Sequence, residues 1–332
     1  MFRTAVIGVG GIGTSLACEV LSHPEATIEA VVDVNPENLE RATEELDLEA
    51  STCYTDAMAM YAESSLDGVI IATPPALHYE QIRDAFERDL HVLCEKPLVV
   101  DLEQARDVAE RVRTGSNTLL VGYQRHLNPG FVAARERWHG SDLEPRFITG
   151  TLTQDWTDHF ERGTNWRTAP AVGGRGHLFS VGTHVVESVL WMTGLTPASV
   201  SAEMAFHDDG KRIDVQSSLT VRFENGTIAS FADSAVVPAT REHIHIWDEK
   251  GAVYLDGEEW SPRRLQLLDT DGTETIPELA YDETPTKVEA LIEAVETGSE
   301  PPATAVDGLR VTALLEAAYE SARTGERIDV TL

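Results

Sequence analysis

Apolar and polar positions alternate in two different ways along this chain. Up to about residue 122, short β-rich runs (TAVIGV, TIEAVVDV, SLDGVIIAT, LHVLCE and TLLVGY) are separated by stretches at 15–22, 36–46, 77–88 and 102–114 with helical spacing of apolar residues. Strands alternating with helices predict an α/β unit, a parallel sheet with helices on both faces. Beyond Tyr123 the period changes. Helical stretches at 129–138 and 180–193 mix with alternating strands, RFITGTLTQ, SVSAEMAF, SSLTVRF and TIASFADS. The segment EHIHIWDEKGAVYLDG reads as a hairpin turning at 249–251. Short turns between consecutive strands predict an α+β unit with a mostly antiparallel sheet, open on one face. Two helical stretches, 286–297 and 307–324, close the chain, with Gly298 and Gly325 as stops. The expected division is 1–122 and 123–332, with the helix at 307–324 able to pack back on the first unit.

Charge narrows the partners. Asp and Glu number 56 against 26 Lys and Arg, a formal net charge of −30 over 332 residues. A phosphate backbone or an anionic leaflet would be repelled, so neither nucleic acid nor a membrane is an expected partner. Four of the cations are lysines, Lys96, Lys211, Lys250 and Lys287. Scarce Lys beside abundant Asp and Glu resembles the composition of proteins from halophiles, where molar salt screens charge to about 3 Å and relieves self-repulsion. Cys18, Cys53 and Cys94 are too widely spaced for a disulfide frame or a zinc site. No run approaches the roughly 20 apolar residues of a membrane span, and no leader pattern opens the sequence. A soluble cytoplasmic protein is expected.

The first turn carries chemistry. Gly8-Val9-Gly10-Gly11-Ile12-Gly13 matches G-x-G-x-x-G between a strand and a helix, so amides and a helix N-terminus would face a pyrophosphate. Gly8 serves the turn, Gly10 the approach of phosphates and Gly13 close helix–strand packing, with Gly11 and Ile12 completing the loop. Asp33 lies 20 residues beyond Gly13, where a carboxylate accepts from the ribose hydroxyls. This predicts a Rossmann dinucleotide site that prefers NAD to NADP, because a 2′-phosphate would meet the carboxylate. Arg41 could bind that phosphate, but reads better on the exposed face of the next helix. At the next strand end, Thr73 and Pro74 are expected to border the cofactor. His78 reads equally as a cofactor contact or an ordinary helix-start residue.

Lys96, in Cys94-Glu95-Lys96-Pro97, closes another strand after the apolar run HVLC. Lys can be retuned by burial where Arg cannot, which makes Lys96 a candidate to orient or protonate a substrate. With these residues in view, the chain resembles the glucose–fructose oxidoreductase/inositol dehydrogenase/MocA family over essentially its whole length. The resemblance rests on GVGGIG, ATPPALH, the EKP of 95–97, GYQRHLNP at 122–129, GGRGHLFSVGTHVVESVLWMTG at 173–194 and the closing DGLRVTALLEAAYESARTGERIDV. It implies a Rossmann domain followed by an α+β domain whose open sheet mediates homodimers or homotetramers. It also implies NAD(P)-dependent hydride transfer to or from a hydroxyl-bearing carbon of a sugar, sugar acid or cyclitol. On that basis Glu95 and Lys96 join the cofactor site, Lys96 hydrogen-bonds the reacting oxygen, and His184 is the general base.

One departure stands out. The family commonly reads D-x-G-x-H where this chain has Ser180-Val181-Gly182-Thr183-His184. On an α-helix, positions i and i+4 share a face, so Ser180 and His184 would point the same way. Ser180 supplies no charge, so His184 is expected to be less readily protonated than in Asp-bearing relatives. The segments Gln154-Asp155-Trp156 and Asn165-Trp166-Arg167 resemble a subset of the family in which they shape the sugar pocket, implying substrate contacts from Asp155, Trp166 and Arg167. Trp156 and Trp166 read equally as core. Arg125 is counted with the substrate contacts, and His126 lies beside it.

Two rival functions keep the cofactor: glycoside cleavage by redox-cycling NAD, and a non-catalytic NAD-binding regulator. His243 and His245 alternate on one strand face, but no third ligand stands at recognisable spacing, so no metal site is expected. Ser180 with His184 is no hydrolase pair, since no G-x-S-x-G elbow is present, and GVGGIG lacks the GK[ST] of a P-loop.

Overall fold

The computed structural model describes residues 1–162 and 166–332, the side chain of Arg162 excepted. The chain divides into two compact units, Met1–Tyr123 with Pro285–Val306, and Gln124–Thr284 with Asp307–Leu332. The sequence-based division put everything after 122 in the second unit. The segment that returns to the first unit is Pro285–Val306, whereas the helix at 307–324 stays with the second.

Six strands form the parallel sheet of the first unit: β1 (Phe2–Ile7), β2 (Ala26–Val32), β3 (Cys53–Tyr54), β4 (Gly68–Ile71), β5 (His91–Cys94) and β6 (Leu119–Val121). Their order, β3-β2-β1-β4-β5-β6, is that of a Rossmann fold, with its topological switch between β1 and β4. The crossovers are α1 (Gly11–Ser22), α2 (Pro36–Leu46), α3 (Ala57–Glu63), α4 (His78–Phe86) and α5 (Leu102–Thr114). All four residues of β4 are buried, as a strand covered on both faces requires. Local chemistry starts the helices: Asn35 accepts from the Glu37 amide with Pro36 at the first position, and Asp101 accepts from the Gln104 amide. The two-residue β3 and the short α3, with Met60 its one buried residue, were invisible to periodicity because neither spans a full repeat.

The second unit opens with α6 (Pro129–Glu136), β7 (Phe147–Asp155), α7 (Thr157–Arg162) and α8 (Thr183–Thr193). It continues with β8 (Pro197–Phe206), β9 (Asp214–Phe223), β10 (Ile228–Ser234), β11 (Val236–Asp248), β12 (Gly251–Glu258), β13 (Arg264–Asp269) and β14 (Glu274–Thr275). Next, α9 (Lys287–Thr297) belongs to the first unit. The chain ends with α10 (Ala305–Thr324) and β15 (Ile328–Asp329).

Nine strands form one sheet in the order β14-β13-β12-β11-β7-β10-β9-β8-β15, antiparallel except where β7 runs parallel to β10. Alternation assigns its faces. Ile148, Leu152, Phe231, Ile244, Ile246 and Leu255 are buried, while the intervening Thr149, Thr151, His243 and Asp256 look outward. Helix α8 lies on the buried face. A Cβ at Gly150 would stand 2.5 Å from Val185 Cγ1, so the helix approaches β7 where a side chain is missing. Helix α10 is tied to this unit by Arg310 on the Leu195 carbonyl and by Tyr319 on Asp214. No helix among the described residues is long and apolar enough to cross a membrane.

Candidate active site

Strand register assembles the motifs of the first unit. Ile7 pairs with Ile71, Ile71 with Cys94 and Cys94 with Val121, so the residues that follow leave the sheet side by side at its carboxyl edge. Those residues are Gly8, Ala72, Glu95 and Gly122. The glycine loop is built as spacing implied. Gly8 has φ +92°, and a Cβ there would meet the Ala72 carbonyl and Thr73 amide at 2.9 Å. A Cβ on Gly13 would stand 1.8 Å from the Gly8 carbonyl oxygen. Gly10 and Gly11 are open, with no atom within 4 Å of an added Cβ, and half-exposed Ile12 lies beside them. Gly10 caps α1 without a side-chain bond, so the first helical amides have no partner from a cap. An open concavity facing a bare helix N-terminus fits a pyrophosphate.

Asp33 is tied to the loop. Its Oδ2 accepts from the Val9 amide and from Asn38 Nδ2, both at 3.0 Å, and Oδ1 accepts from the Asn35 amide at 2.8 Å. Arg41 lies on the exposed face of α2, as expected, and from there its Nη2 reaches back to donate to the Val9 carbonyl at 3.2 Å and to Asn38 Oδ1 at 3.1 Å. One residue of the loop thus holds a carboxylate on its N–H and a guanidinium on its C=O.

Of the two readings of His78, the structure supports the residue at the start of α4. It is fully buried, with Nε2 2.9 Å from the Thr73 carbonyl and Nδ1 3.1 Å from the carbonyls of Pro97 and Leu98. Burial lowers its pKa despite these carbonyls. It braces the Thr73-Pro74 loop against the segment after Lys96 and has no face toward a ligand. Thr73 Oγ1 donates to Gln81 at 2.6 Å. Glu95 fills the space a Cβ at Gly122 would need, accepts from the Lys96 amide at 3.2 Å and pairs with Lys287 from α9. Half-exposed Lys96 is joined to Pro97 by a cis peptide bond. Composition marked Lys287 as scarce, but nothing local linked it to Glu95.

In the second unit, Arg125 and Asp155, expected at the substrate, make hydrogen bonds within the protein, and Trp156 takes its core reading. Arg125 is 5% exposed, donating to Ser188 at 3.3 Å and pairing with Glu242, which Arg263 also holds at 3.0 Å. Asp155 is exposed and accepts from the Thr157 amide at 2.9 Å, where hydrogen bonds from Thr157 keep its pKa low at the start of α7. Trp156 is core, 4% exposed, its indole N–H on Gln154 at 2.9 Å. His126, beside Arg125, pairs with buried Glu187 and stacks on Trp191 at 4.1 Å. Trp166 and Arg167 pack on each other, the guanidinium lying 4.6 Å over the half-buried indole ring. A Cβ on Gly174 would stand 2.3 Å from the Trp166 carbonyl oxygen, so Gly173-Gly174 lets the chain pass directly against them. Asn165 lies outside the described residues.

The segment before α8 departs from the expected geometry. Leu178–Gly182 is a π-helical turn, with α8 starting at Thr183. Its wider winding invalidates the i, i+4 argument that put Ser180 and His184 on one helical face, although both are buried in adjoining turns. Beneath it lies a carboxylate that no local pattern announces. Asp233 Oδ1 stands 2.6 Å from where a Cβ on Gly182 would be, and Oδ2 lies 2.8 Å from His177 Nδ1. Asp214 accepts from the amides of His177 at 3.1 Å and Leu178 at 2.9 Å, and burial followed by repulsion from Asp233 pushes it up to about 7. His184 itself faces Trp260, with ring centroids 6.3 Å apart, and half-exposed Trp260 had no local signal in the sequence.

Comparison with known proteins places both units in one family. Residues 2–123 match the oxidoreductase family with an NAD-binding Rossmann fold, and residues 140–254 match the GFO/IDH/MocA C-terminal domain. A relative named D-xylose 1-dehydrogenase (NADP(+)) 2, from Haloferax volcanii, is 26% identical over 98% of both chains. An inositol 2-dehydrogenase from Rhizobium meliloti is 26% identical over 99% of both chains. The solved structure of a levoglucosan dehydrogenase in complex with NADH superposes with a TM-score of 0.86 at 20% identity over 99% of both chains, a likeness of fold. With an NAD-binding half, a matching C-terminal half and relatives aligned end to end, the chain belongs to the GFO/IDH/MocA family of NAD(P)-dependent oxidoreductases.

Proposed function

We propose that the protein is a dehydrogenase that moves hydride between NAD(P) and a hydroxyl-bearing carbon of a sugar, sugar acid or cyclitol. The observation that carries this reading is the single row formed by Gly8, Ala72, Glu95 and Gly122, which gathers the glycine loop, the Thr73-Pro74 loop and Lys96 at one sheet edge. Bound NAD(P) supplies the hydride acceptor or donor at this edge. The chain's own residues manage position and protons. The amides after Gly10 receive the pyrophosphate, and Asp33 receives the adenosine ribose. Lys96 holds the reacting oxygen, and His184 takes the hydroxyl proton in the oxidative direction. Trp166, Arg167 and Trp260 offer ring faces and a donor fork suited to a carbohydrate's C–H faces and hydroxyls.

The test is absorbance at the reduced-nicotinamide band, in molar KCl, with NAD or NADP. The substrate panel is led by aldopentoses and cyclitols, since the relatives are named for D-xylose and inositol. We expect turnover with one class of substrate and a fall of roughly 10²–10⁴-fold in kcat for Lys96→Ala and for His184→Ala, with NADH still bound. Silence across the panel from protein that binds NADH would refute the reading, and full turnover by His184→Ala would remove His184 as the base.

A further inference from the structure

The open face of the nine-stranded sheet carries a donor set that the oxidoreductase chemistry does not use. His243 and His245 sit two apart on β11, so both project from the same face, and His243 is the cross-strand partner of Asp256 on β12. His243 Nδ1 and His245 Nε2 each lie 2.8 Å from the same oxygen, Asp256 Oδ1. Among the described residues, this group of His, Cys, Asp and Glu side chains brings three ligand atoms within 4.8 Å of one another. The third ligand, missing from the sequence reading, arrives across the hairpin rather than along the strand.

We propose that His243, His245 and Asp256 bind one divalent transition-metal ion of the zinc class, with solvent completing its coordination. Two imidazoles and one carboxylate suit zinc and its first-row neighbours, while Mg²⁺ and Ca²⁺ demand sets of oxygen ligands. The donors are preorganised. The His245 ring is stacked on Tyr254 at 3.9 Å, and Trp247 meets it edge-on at 5.8 Å. On β11 the cation two residues before His243, Arg241, is engaged with Glu258, while exposed Arg264 is the cross-strand partner of Asp256 on its other side. A net charge of −30 draws divalent cations toward the surface. Metal bound here links β11 to β12, so it favours the folded state over the unfolded one.

The experiment is calorimetric titration of the chelator-treated full chain with Zn²⁺ in a large excess of Mg²⁺, beside His243→Gln, His245→Gln, Asp256→Asn and the double variant His243→Gln/His245→Gln. We expect one ion per chain, affinity about tenfold or more weaker in each single variant, and no ion in the double variant. Zn²⁺ should raise the Tm of the parent and leave that of the double variant unchanged. Because all three side chains are outward-facing, the variants are expected to melt like the parent in chelator. A second reading needs no variant: Co²⁺ added to the parent should give the intense visible absorption of low-coordinate cobalt, removed by one equivalent of Zn²⁺. One-to-one binding that survives the double substitution overturns the site, as does a parent that binds no Zn²⁺ or gives only the weak spectrum of hydrated Co²⁺. In either case the three residues form a hydrogen-bonded cluster and nothing more.

Discussion

At the scale of single residues, the dinucleotide site holds a contradiction in charge. Asp33 and Arg41 are anchored to the two polar atoms of one peptide residue, Val9, and share Asn38 as a partner. A carboxylate there favours the two free hydroxyls of NAD, while a guanidinium beside it can neutralise a 2′-phosphate. Arg41→Ala is therefore expected to lower kcat/KM for NADP by about tenfold while changing that for NAD little, a difference read from the ratio of the two. Asp33 was legible because its distance from the loop is a property of the chain. Arg41 could be named as a candidate but not placed at Val9, since a long side chain on an exposed helix face can also bend back toward the loop. Arg125 was misread for a similar reason: its partner Glu242 comes from a strand more than a hundred residues later, and no local pattern announces a buried ion pair.

Elements add constraints that no residue carries alone. The helices at 36–46 and 102–114 were read to the residue, because each begins with Asn or Asp as its cap and repeats its apolar positions cleanly. The segment read as helix at 180–193 was not, because a π-helical turn at Leu178–Gly182 looks like helix in sequence and differs only in winding. Two glycines of one loop separate packing from binding. Gly13→Ala drives a methyl onto the Gly8 carbonyl oxygen and should cost on the order of 3 kcal/mol or more, seen as a lower urea midpoint. Gly10→Ala meets no atom of the protein and should leave that midpoint unchanged while weakening NADH binding. Asp214, under the π-helical turn, makes stability depend on pH. Its folded pKa of about 7 lies above the unfolded carboxyl value of 3.8, so the folded state binds the proton more tightly. The resulting stabilisation is present at low pH, declines as pH rises between these values, and is gone above about 7. Asp214→Asn keeps an acceptor for the two amides, so its urea midpoint should change less between pH 4.5 and 8 than the parent's.

Across the whole molecule, charge is the dominant fact. With a net charge of −30, the folded chain repels itself, and the urea midpoint is expected to rise steadily from low salt to molar KCl. A midpoint indifferent to KCl would show that the acidic surface costs the fold nothing. The two-part organisation was plain in the sequence because the hydrophobic period changes near Tyr123. The return of Pro285–Val306 to the first unit was not, because a helix such as α9 reads the same whichever core it covers. Its capping box, in which Thr286 and Glu289 satisfy each other, marks where the helix starts and says nothing about its destination.

The one parallel pairing in the second sheet has a consequence in time. Strand β7 lies between β10 and β11, and its first residue, Phe147, pairs with Ile228 on one side and Trp247 on the other. Hairpins such as β11–β12 can close as soon as they are synthesised, but β7 has no neighbour until the chain has emerged well past β10. Until then a mostly threonine-faced strand leaves the ribosome with both edges bare. The centre of the sheet thus waits on a partner about eighty residues away, and refolding should be paced by long-range closure around β7 rather than by any local turn.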